Sequence, residues 1–438
     1  MTHATQKEAY PYFVAAVLLF ALQVILGLLT VVKYIWPDPL LDILPFNTSR
    51  AIHINLLVFW LLLGFMGGTY YMIPEESDAE LYSPTIARVQ LGILLAGGVG
   101  AIVGYLFGIS WGMPFLEQPV IIKVLIVAAA LMFLFNVFMT VQKTKHWTAI
   151  QGVLIGGMVF LAIMFLFGIV FMKNLATQYY FWWWVIHLWV EGAWELITGA
   201  IMAFILLKLT GVERGLVEKW LYVEIALVLF TGIIGTGHHY YWIGTPDYWY
   251  WWGGIFSALE PLPILFMVVD TMRNVRERKL EIKNRVAYHW AIGCAWFHFV
   301  GAGIWGFAHT LPQVNQWTHG TQVTASHGHM AFFGAYAMVN LTMIYFALPR
   351  LKGMADYEQG RGIFAFWVMV SGMFMMGLGF AVAGIVQTYF NRIMGVDFLT
   401  TQDYMKLWFM VVLVCAIFFS VGVYTFVYDF FALKAKSA

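Results

Sequence analysis

The chain has 438 residues, of which 61% are hydrophobic and only 11% are charged, and its formal net charge is +1. A soluble domain carries about 25% charged residues, so this composition excludes a water-soluble globular protein and predicts an integral protein of the lipid bilayer. The near-zero net charge gives no indication of a nucleic-acid partner. Cys294 and Cys415 both lie inside apolar runs, so neither a disulfide framework nor a CxxCH haem attachment site is predicted.

Twelve apolar stretches are long enough to cross a bilayer, which takes about 20 helical residues. We predict an all-α bundle of twelve transmembrane helices in one domain, residues 1–438, with short connections. The first stretch has no small-residue cleavage pattern, so we interpret it as an uncleaved span and not as a signal peptide. The predicted spans cover approximately residues 12–32, 52–72, 86–109, 119–141, 150–172, 181–207, 217–237, 251–270, 287–308, 323–348, 363–387 and 404–428.

Basic residues indicate an orientation for this bundle. If the N-terminus is cytoplasmic, the even-numbered connections lie inside, and these contain most of the lysines and arginines, including the basic run from Arg273 to Arg285. Because short cytoplasmic connections are enriched in basic residues, we predict that both termini are cytoplasmic.

Six histidines and one carboxylate fall at the outer ends of four predicted spans. Ionisable groups inside hydrocarbon are paired, hydrated or bound to metal, so a cluster at one depth predicts a multi-metal centre. A lone intramembrane histidine has no such support, and we interpret His289, His298, His309 and His319 as structural. The clustered residues are His53, His187, Glu191, His238, His239, His327 and His329.

Helical spacing sorts the clustered residues. His187, Glu191 and Glu195 are four residues apart in turn, so they share a helix face and the first two can bind one ion. His327 and His329 are two apart, about 200° around a helix, and we expect them to serve two different centres.

The other histidines divide in the same way. His238 and His239 stand at the end of span 7, where Gly235 and Gly237 let the helix loosen so that a single ion could take both rings. His53 has one of the span 10 histidines as its natural partner, because an axial pair of histidines sandwiches a haem iron.

These features resemble the haem–copper oxidase superfamily. More closely, the segments His187-Leu-Trp-Val-Glu-Gly, Phe115-Leu-Glu-Gln-Pro and Asn55-Leu-Leu-Val-Phe-Trp are similar to the large, catalytic subunits of cytochrome c-dependent nitric oxide reductases. The resemblance covers nearly the whole chain.

The resemblance implies a role for each residue. His53 and His329 would be the axial ligands of a low-spin haem b, and His327 would be the proximal ligand of a high-spin haem b. Glu195 and Glu260 would shape the electrostatics and pass protons. A non-haem iron would be bound by three imidazoles and a carboxylate, from His187, His238, His239 and Glu191.

The implied reaction converts two nitric oxide molecules, two electrons and two protons to nitrous oxide and water. Two facing irons would hold the two molecules nitrogen to nitrogen, so that a collision becomes a positioned coupling. Cytochrome c or a similar donor would deliver the electrons through a small membrane-anchored subunit with a c-type haem. The resemblance further implies a bacterial inner membrane, with the active site toward the periplasm.

Two other function classes are weighed against this one. A terminal oxygen reductase would use the same pocket with copper, but a carboxylate ligand favours iron. Trp242 stands where oxygen-reducing relatives of the commonest type carry a tyrosine, and span 8 lacks their lysine. A non-redox transporter would need a polar route through both leaflets, whereas these histidines stop in the outer half.

Two positions leave questions open. The reductases have an Arg-Glu pair before Phe-Leu-Glu-Gln-Pro, whose acid helps to hold a calcium, whereas this chain has Met113 and Pro114. Calcium therefore stays open, with Glu117 as the remaining acid. Glu224, inside span 7, is interpreted as a helix–helix hydrogen-bonding residue, with a cytoplasmic proton path as the alternative.

Overall fold

The computed structural model describes residues 1–37 and 40–436, and apart from one isolated β-bridge their regular structure is helical. Within those residues, twelve helices are long and apolar enough to cross a membrane. The prediction of an all-α, twelve-helix membrane protein is confirmed. Numbered α1 to α12, and counting the tighter or wider turns that continue them, the helices are Ala4–Ile35, Phe46–Glu76, Pro84–Leu106, Val120–Val141, Ala149–Phe167, Leu175–Thr210, Arg214–Tyr240, Tyr248–Glu277, Arg285–Thr310, Gln322–Leu351, Gly360–Ile393 and Phe398–Ala432.

Most helices extend beyond the apolar stretches, because hydropathy marks only the part in hydrocarbon while helical hydrogen bonds continue into polar flanks. Two helices instead stop short of the predicted ends. α3 ends at Leu106 and not near residue 109, since Gly108 has a φ of +73° that a right-handed helix cannot continue. α5 ends before Gly168, whose carbonyl oxygen accepts a hydrogen bond from Lys123 Nζ at 3.0 Å.

Three of the four helices that carry the histidine motifs, α2, α6 and α10, form the centre of the bundle. In their most apolar stretches, 89% of the residues of α6 and α10 and 67% of those of α2 are buried. α2 and α10 approach closely at Gly64, where an added Cβ would overlap the Asn340 side chain. The amide of Asn340 donates to the Leu61 carbonyl at 3.1 Å, so a buried polar group ties the two helices together.

Irregular turns interrupt the helices around the centre. The π turns widen a helix locally and commonly occur at functional sites. α7 ends in a 3₁₀ turn, Thr236–Tyr240, and α8 is broken between Ser257 and Leu262. The π turns are Leu188–Ala193 in α6, Val228–Gly232 in α7, Phe299–Trp305 in α9, Phe333–Ala337 in α10 and Thr388–Ile393 in α11.

The two ends of the described chain lie at the same face of the bundle. The backbone N–H of Ala4 donates to Glu80, in the connection after α2, at 2.8 Å. Ala435 pairs with Tyr357, in the connection after α10. We call this the inner face and the opposite one the outer face.

Candidate metal centre and adjoining cavity

Four side chains from α6 and the end of α7 converge on one point. Each offers a ligand atom, and these atoms lie within 4.8 Å of one another. Among the described residues, this is the one group of three or more histidine, cysteine or acidic side chains with such geometry. We call it the metal cluster: His187, Glu191, His238 and His239.

The irregular turns place these side chains. His187 is the last α-helical residue before the π turn of α6, and its Nδ1 lies 3.3 Å from Glu191 Oε2. The 3₁₀ turn at the end of α7 brings the Nε2 atoms of His238 and His239 to 2.9 Å from each other. His239 Nε2 lies 3.4 Å from Glu191 Oε1. The adjacent histidines therefore face the same point, as the helix end beside Gly235 predicts.

For His187 and His238, hydrogen-bonding contacts on the far side of the ring indicate which nitrogen faces the cluster. His187 Nε2 lies 2.6 Å from the Gly232 carbonyl oxygen, to which it can only donate, so in the neutral ring Nδ1 is the nitrogen with a free lone pair. His238 Nδ1 contacts Ser257 Oγ at 2.7 Å. The His239 ring stacks on Trp183 with centroids 4.5 Å apart. Such outer partners are typical of metal-binding histidines.

The metal cluster fits a cation. Metal–ligand bonds of about 2.0–2.2 Å around a tetrahedral ion place neighbouring ligand atoms roughly 3–3.5 Å apart. The nitrogen–nitrogen and nitrogen–oxygen distances of 2.9, 3.3 and 3.4 Å agree with that spacing. When the rings are neutral, their converging lone pairs repel one another unless a positive charge lies between them, so the donor set fits a bound metal.

The three other motif histidines share one hydrogen-bonding pattern. In each, Nδ1 donates to a backbone carbonyl oxygen, which leaves Nε2 as the nitrogen with a lone pair for a metal. This assignment of the proton follows from the acceptor, since a carbonyl oxygen cannot donate. The pairs are His53 with Gln23 at 3.0 Å, His327 with Gly301 at 3.0 Å and His329 with Ala325 at 2.8 Å. His53 Nε2 also lies 3.4 Å from the side-chain nitrogen of Gln23.

His327 and His329 face different sides of α10. The His329 ring lies opposite His53, with centroids 6.3 Å apart and planes inclined by 28°. Two imidazoles on opposite sides of one metal, with bonds of about 2 Å each, have ring centres about 6 Å apart. His327 instead lies against α9, where an added Cβ at Gly306 would stand 2.8 Å from its Cε1.

A cavity of about 730 Å³ connects these groups. Its volume lies within the range of about 300–1,000 Å³ that small-molecule and cofactor sites occupy. Metal-cluster atoms line one part of it, and the rings of His53, His327 and His329 line others. The residues therefore fit a metal and flat, axially ligated cofactors in one continuous space.

Two further acids line the same cavity. Glu195 and Glu260 are both buried, with 6% and 7% of their surface exposed. Glu195 Oε1 lies 4.0 Å from His298 Nε2. Glu260 lies in the break of α8, and its Oε1 atom packs against Gly235 of α7. Among the described residues, this oxygen has no hydrogen-bonding partner. Both acids stand beside the metal cluster and not within it.

His298 is a site residue that the sequence did not distinguish. It is 1% exposed, it lines the cavity, and within the described chain neither ring nitrogen has a hydrogen-bonding partner. The rings of His289 and His309 do have hydrogen-bonding partners: His289 Nδ1 donates to the Arg285 carbonyl, and the His309 ring contacts the hydroxyls of Thr318 and Thr324. For His319, it is the backbone carbonyl that accepts a hydrogen bond, from Arg392.

A second buried polar group lies at the outer ends of α2, α3 and α4. Asn55 Nδ2 donates to Glu117 Oε2 at 2.9 Å, and Asn55 Oδ1 accepts hydrogen bonds from Tyr105 and Gln118. Lys123 interacts electrostatically with Glu117. Burial raises the pKa of the Glu117 carboxyl. We call this the loop cluster: Asn55, Tyr105, Glu117, Gln118 and Lys123.

The loop cluster by itself does not fit calcium. Calcium takes six to eight oxygen ligands, whereas this group has one carboxylate, already bonded to Asn55, and an ammonium group nearby. Pro114, in the place of the expected acid, contributes its carbonyl oxygen to Trp182 Nε1 at 3.2 Å. We therefore assign no calcium to these residues.

Trp242 lies outside the metal cluster. Its side chain is 43% exposed, and its Nε1 donates to Asn315 Oδ1 at 2.6 Å. The residue has a φ of +67°, which turns the chain away after His238 and His239. Trp242 therefore does not contribute its side chain to the metal cluster.

Comparison with known proteins gives two matches. The sequence matches the family described as "Cytochrome C and Quinol oxidase polypeptide I" over residues 7–418. It is also similar to a nitric oxide reductase subunit of Stutzerimonas stutzeri, with 46% identity over 448 positions that cover 97% of this chain and 94% of that protein. The resemblance inferred from the motifs is confirmed.

Proposed function

The chain belongs to the cytochrome c and quinol oxidase polypeptide I family, and on that premise we propose that it is the catalytic subunit of a membrane nitric oxide reductase. It is an oxidoreductase, since both the family and the reductase relative are. The proposed reaction joins two nitric oxide molecules, with two electrons and two protons, to give nitrous oxide and water.

One observation carries this proposal: Glu191 stands in van der Waals range of all three cluster histidines. Its carboxylate oxygens lie 3.3 Å from His187, 3.4 Å from His239 and 3.9 Å from His238. Imidazole suits both copper and iron, whereas a hard carboxylate oxygen shifts preference away from copper. A mixed nitrogen and oxygen set therefore supports a non-haem iron.

Haem and metal binding follow from the family and the metal cluster. We assign the low-spin haem b to His53 and His329, the high-spin haem b to His327, and the non-haem iron to the metal cluster. When bound, these groups would carry electrons to the site and bind nitric oxide there.

The chain's own residues contribute positioning of the ligands and carriers for protons. Carbonyl and Ser257 contacts hold the ligand rings in place, so that little reorganisation is needed during turnover. Glu195 and Glu260 reach the cavity as buried carboxyl groups, the type of side chain that holds and releases a proton at such a site.

The proposed setting is a bacterial inner membrane, with both termini cytoplasmic and the metal cluster toward the periplasm. Basic residues at the inner face support this orientation, among them Lys143, Arg214 and Arg278. The relative is named as one subunit of its reductase, which implies that a further subunit exists. We propose that this partner is small and membrane-anchored, carries a c-type haem and receives electrons from cytochrome c or a similar donor.

A second candidate is a terminal oxygen reductase with copper in the metal cluster. The family description, which names oxidases, favours it. The position of Trp242 outside the site and the carboxylate of Glu191 both weigh against it.

Anaerobic turnover of the purified holoenzyme tests the proposal. Nitric oxide is supplied with a reductant, and nitrous oxide is followed by gas chromatography for the wild type and Glu191→Ala. We expect activity from the wild type and a loss on the order of 100-fold or more in the variant. Glu277→Ala, an exposed acid paired with Arg273 at the inner face, is the matched control and should keep wild-type activity.

Metal analysis of the same preparation separates the two candidates. Two b-type haems with one additional iron per chain are expected for the reductase. A wild type that makes no nitrous oxide, and that holds copper and reduces oxygen, would replace the first candidate with the second.

A further inference from the structure

His298, in the middle of α9, is a buried histidine that the proposed reaction does not yet use. It is 1% exposed, and its side chain lines the cavity. Among the described residues, neither ring nitrogen has a hydrogen-bonding partner. Burying an imidazole without a partner is costly, and an ionisable side chain inside a membrane protein is by default a candidate for function.

The His298 ring differs from the candidate metal-binding rings in its hydrogen bonding. A backbone carbonyl oxygen holds one nitrogen of His187, His327 and His329, and this fixes the proton on that nitrogen. No group of the described chain does the same for His298. Its ring can therefore carry the proton on either nitrogen, so it can donate to an anion or accept from an acid.

Glu224, in α7, is another buried side chain without a partner among the described residues. The helix–helix hydrogen bond predicted for it from the sequence is therefore not found. Its carboxylate packs against Gly199 of α6 and does not line the cavity. His298 combines the two properties, since its ring lacks a partner and also reaches the cavity.

Glu195, from α6, lies beside the His298 ring. The distance from Glu195 Oε1 to His298 Nε2 is 4.0 Å, and both side chains line the same cavity. This distance is longer than a hydrogen bond, but a small rotation of either side chain shortens it, and one water molecule can bridge it. The geometry thus pairs an imidazole with an acid that the proposed function assigns to proton transfer.

The backbone around His298 holds the ring in this position. α9 and α10 approach closely there, since an added Cβ at Gly334 would stand 2.6 Å from the backbone nitrogen of His298. The π turn of α9 begins at the next residue, Phe299, and Gly334 lies in the π turn of α10. A backbone fixed by such packing leaves the ring little freedom except rotation about its own side-chain bonds.

We propose that His298 is a positioning residue that holds the Glu195 carboxyl group toward the cavity by a hydrogen bond, direct or through one water molecule. The ring accepts from the carboxylic acid and donates to the carboxylate, so the group keeps one orientation in both forms. The inference rests on the proposed function, in which Glu195 passes protons to the site.

Infrared difference spectroscopy of the holoenzyme, reduced minus oxidised, tests the pairing without nitric oxide. The carboxyl or carboxylate bands that Glu195→Gln removes belong to Glu195. We expect these bands to shift in His298→Leu, because the group loses its hydrogen bond, and to shift less in His298→Gln, whose amide still forms one. His289→Leu, on the same helix with a ring bonded to the Arg285 carbonyl, is the matched control and should leave them unchanged.

Turnover with nitric oxide tests the consequence. His298→Leu should lower kcat on the order of tenfold and leave KM unchanged, because proton transfer is impaired while substrate binding is not. Combined with Glu195→Gln, it should add no further loss, since His298 acts through Glu195. Haem spectra and metal content should match those of the wild type in every variant.

Three results would overturn the pairing. The first is unshifted Glu195 bands in an assembled His298→Leu or His298→Gln enzyme, and the second is losses of activity that multiply in the double variant. The third is failure of both His298 variants to bind haem while Glu195→Gln assembles, because the ring would then be structural. A wild type that makes no nitrous oxide would remove the proposed function, whereas the infrared bands would still decide the pairing.

Discussion

The metal cluster and the loop cluster are both buried and polar, but their hydrogen bonding differs. In the metal cluster, ring nitrogens of three histidines and the carboxylate oxygens of Glu191 face one another across 2.9 to 3.9 Å. In the loop cluster, donors meet acceptors: Asn55 bonds to Glu117 and to Tyr105, and Lys123 donates to a carbonyl.

This difference separates a ligand site from a structural one. Converging acceptors are unfavourable unless a cation lies among them, whereas paired donors and acceptors satisfy each other. Composition alone would not distinguish the two clusters, because both contain acids and other polar groups at the outer side of the bundle. We therefore expect substitutions in the first to change metal content and substitutions in the second to change stability.

The largest effect is expected from His239→Ala. It removes one of four converging ligands, so the preparation should lose the non-haem metal and nitrous oxide formation should fall on the order of 100-fold. Metal analysis and gas chromatography measure both. His289→Ala, whose ring bonds only to the Arg285 carbonyl, is the control. A variant that keeps its metal in full would show that the converging acceptors are not ligands.

The next effect concerns the glycines beside the candidate haem ligands. An alanine Cβ would stand 2.8 Å from His53 Cε1 at Gly27 and 2.8 Å from His327 Cε1 at Gly306. Each substitution should displace only its own ring, so Gly27→Ala should alter the low-spin haem spectrum and Gly306→Ala the high-spin one. Optical spectra of reduced enzyme check this. Identical changes in both variants would contradict the division of His53 and His327 between two haems.

A smaller effect is expected from Glu117→Ala in the loop cluster. The substitution removes the carboxylate that accepts from the partly buried Asn55 amide, which then keeps only its hydrogen bond to the Ala51 carbonyl, and this loss destabilises the fold by about 1 kcal/mol. The midpoint of thermal inactivation in detergent should fall, while metal content stays at the wild-type level. Loss of metal in this variant would break the distinction between the two clusters.

The smallest effect is a change in pH dependence. Because burial raises the pKa of Glu117 above its value of 4.5 in the unfolded chain, the folded state binds this proton more tightly. That contribution to stability is complete below pH 4.5 and decreases as the pH rises through the raised folded pKa. Glu117→Gln cannot titrate, so its thermal midpoint should fall less between pH 5 and 8. Parallel curves for the two proteins would exclude this linkage.

Hydropathy and spacing predicted much of this molecule. Long apolar stretches define twelve helices because each must satisfy its backbone hydrogen bonds internally in lipid. Four-residue spacing placed His187 and Glu191 on one face, and two-residue spacing separated His327 from His329. Helix ends were less predictable: the stops before Gly108 and Gly168 depend on backbone conformation and on a hydrogen bond from Lys123.

The amino-acid sequence by itself therefore determined the membrane class, the number of helices and the set of histidines with Glu191. Only the tertiary structure decided which nitrogen of each ring faces the cavity. It also showed that the His298 ring has no hydrogen-bonding partner among the described residues, and that the Glu224 carboxylate of α7 packs against Gly199 of α6. The physical reason is the distance along the chain over which each kind of contact acts. Periodicity fixes neighbours within one helix, whereas these contacts join different helices, and their geometry depends on how whole helices pack.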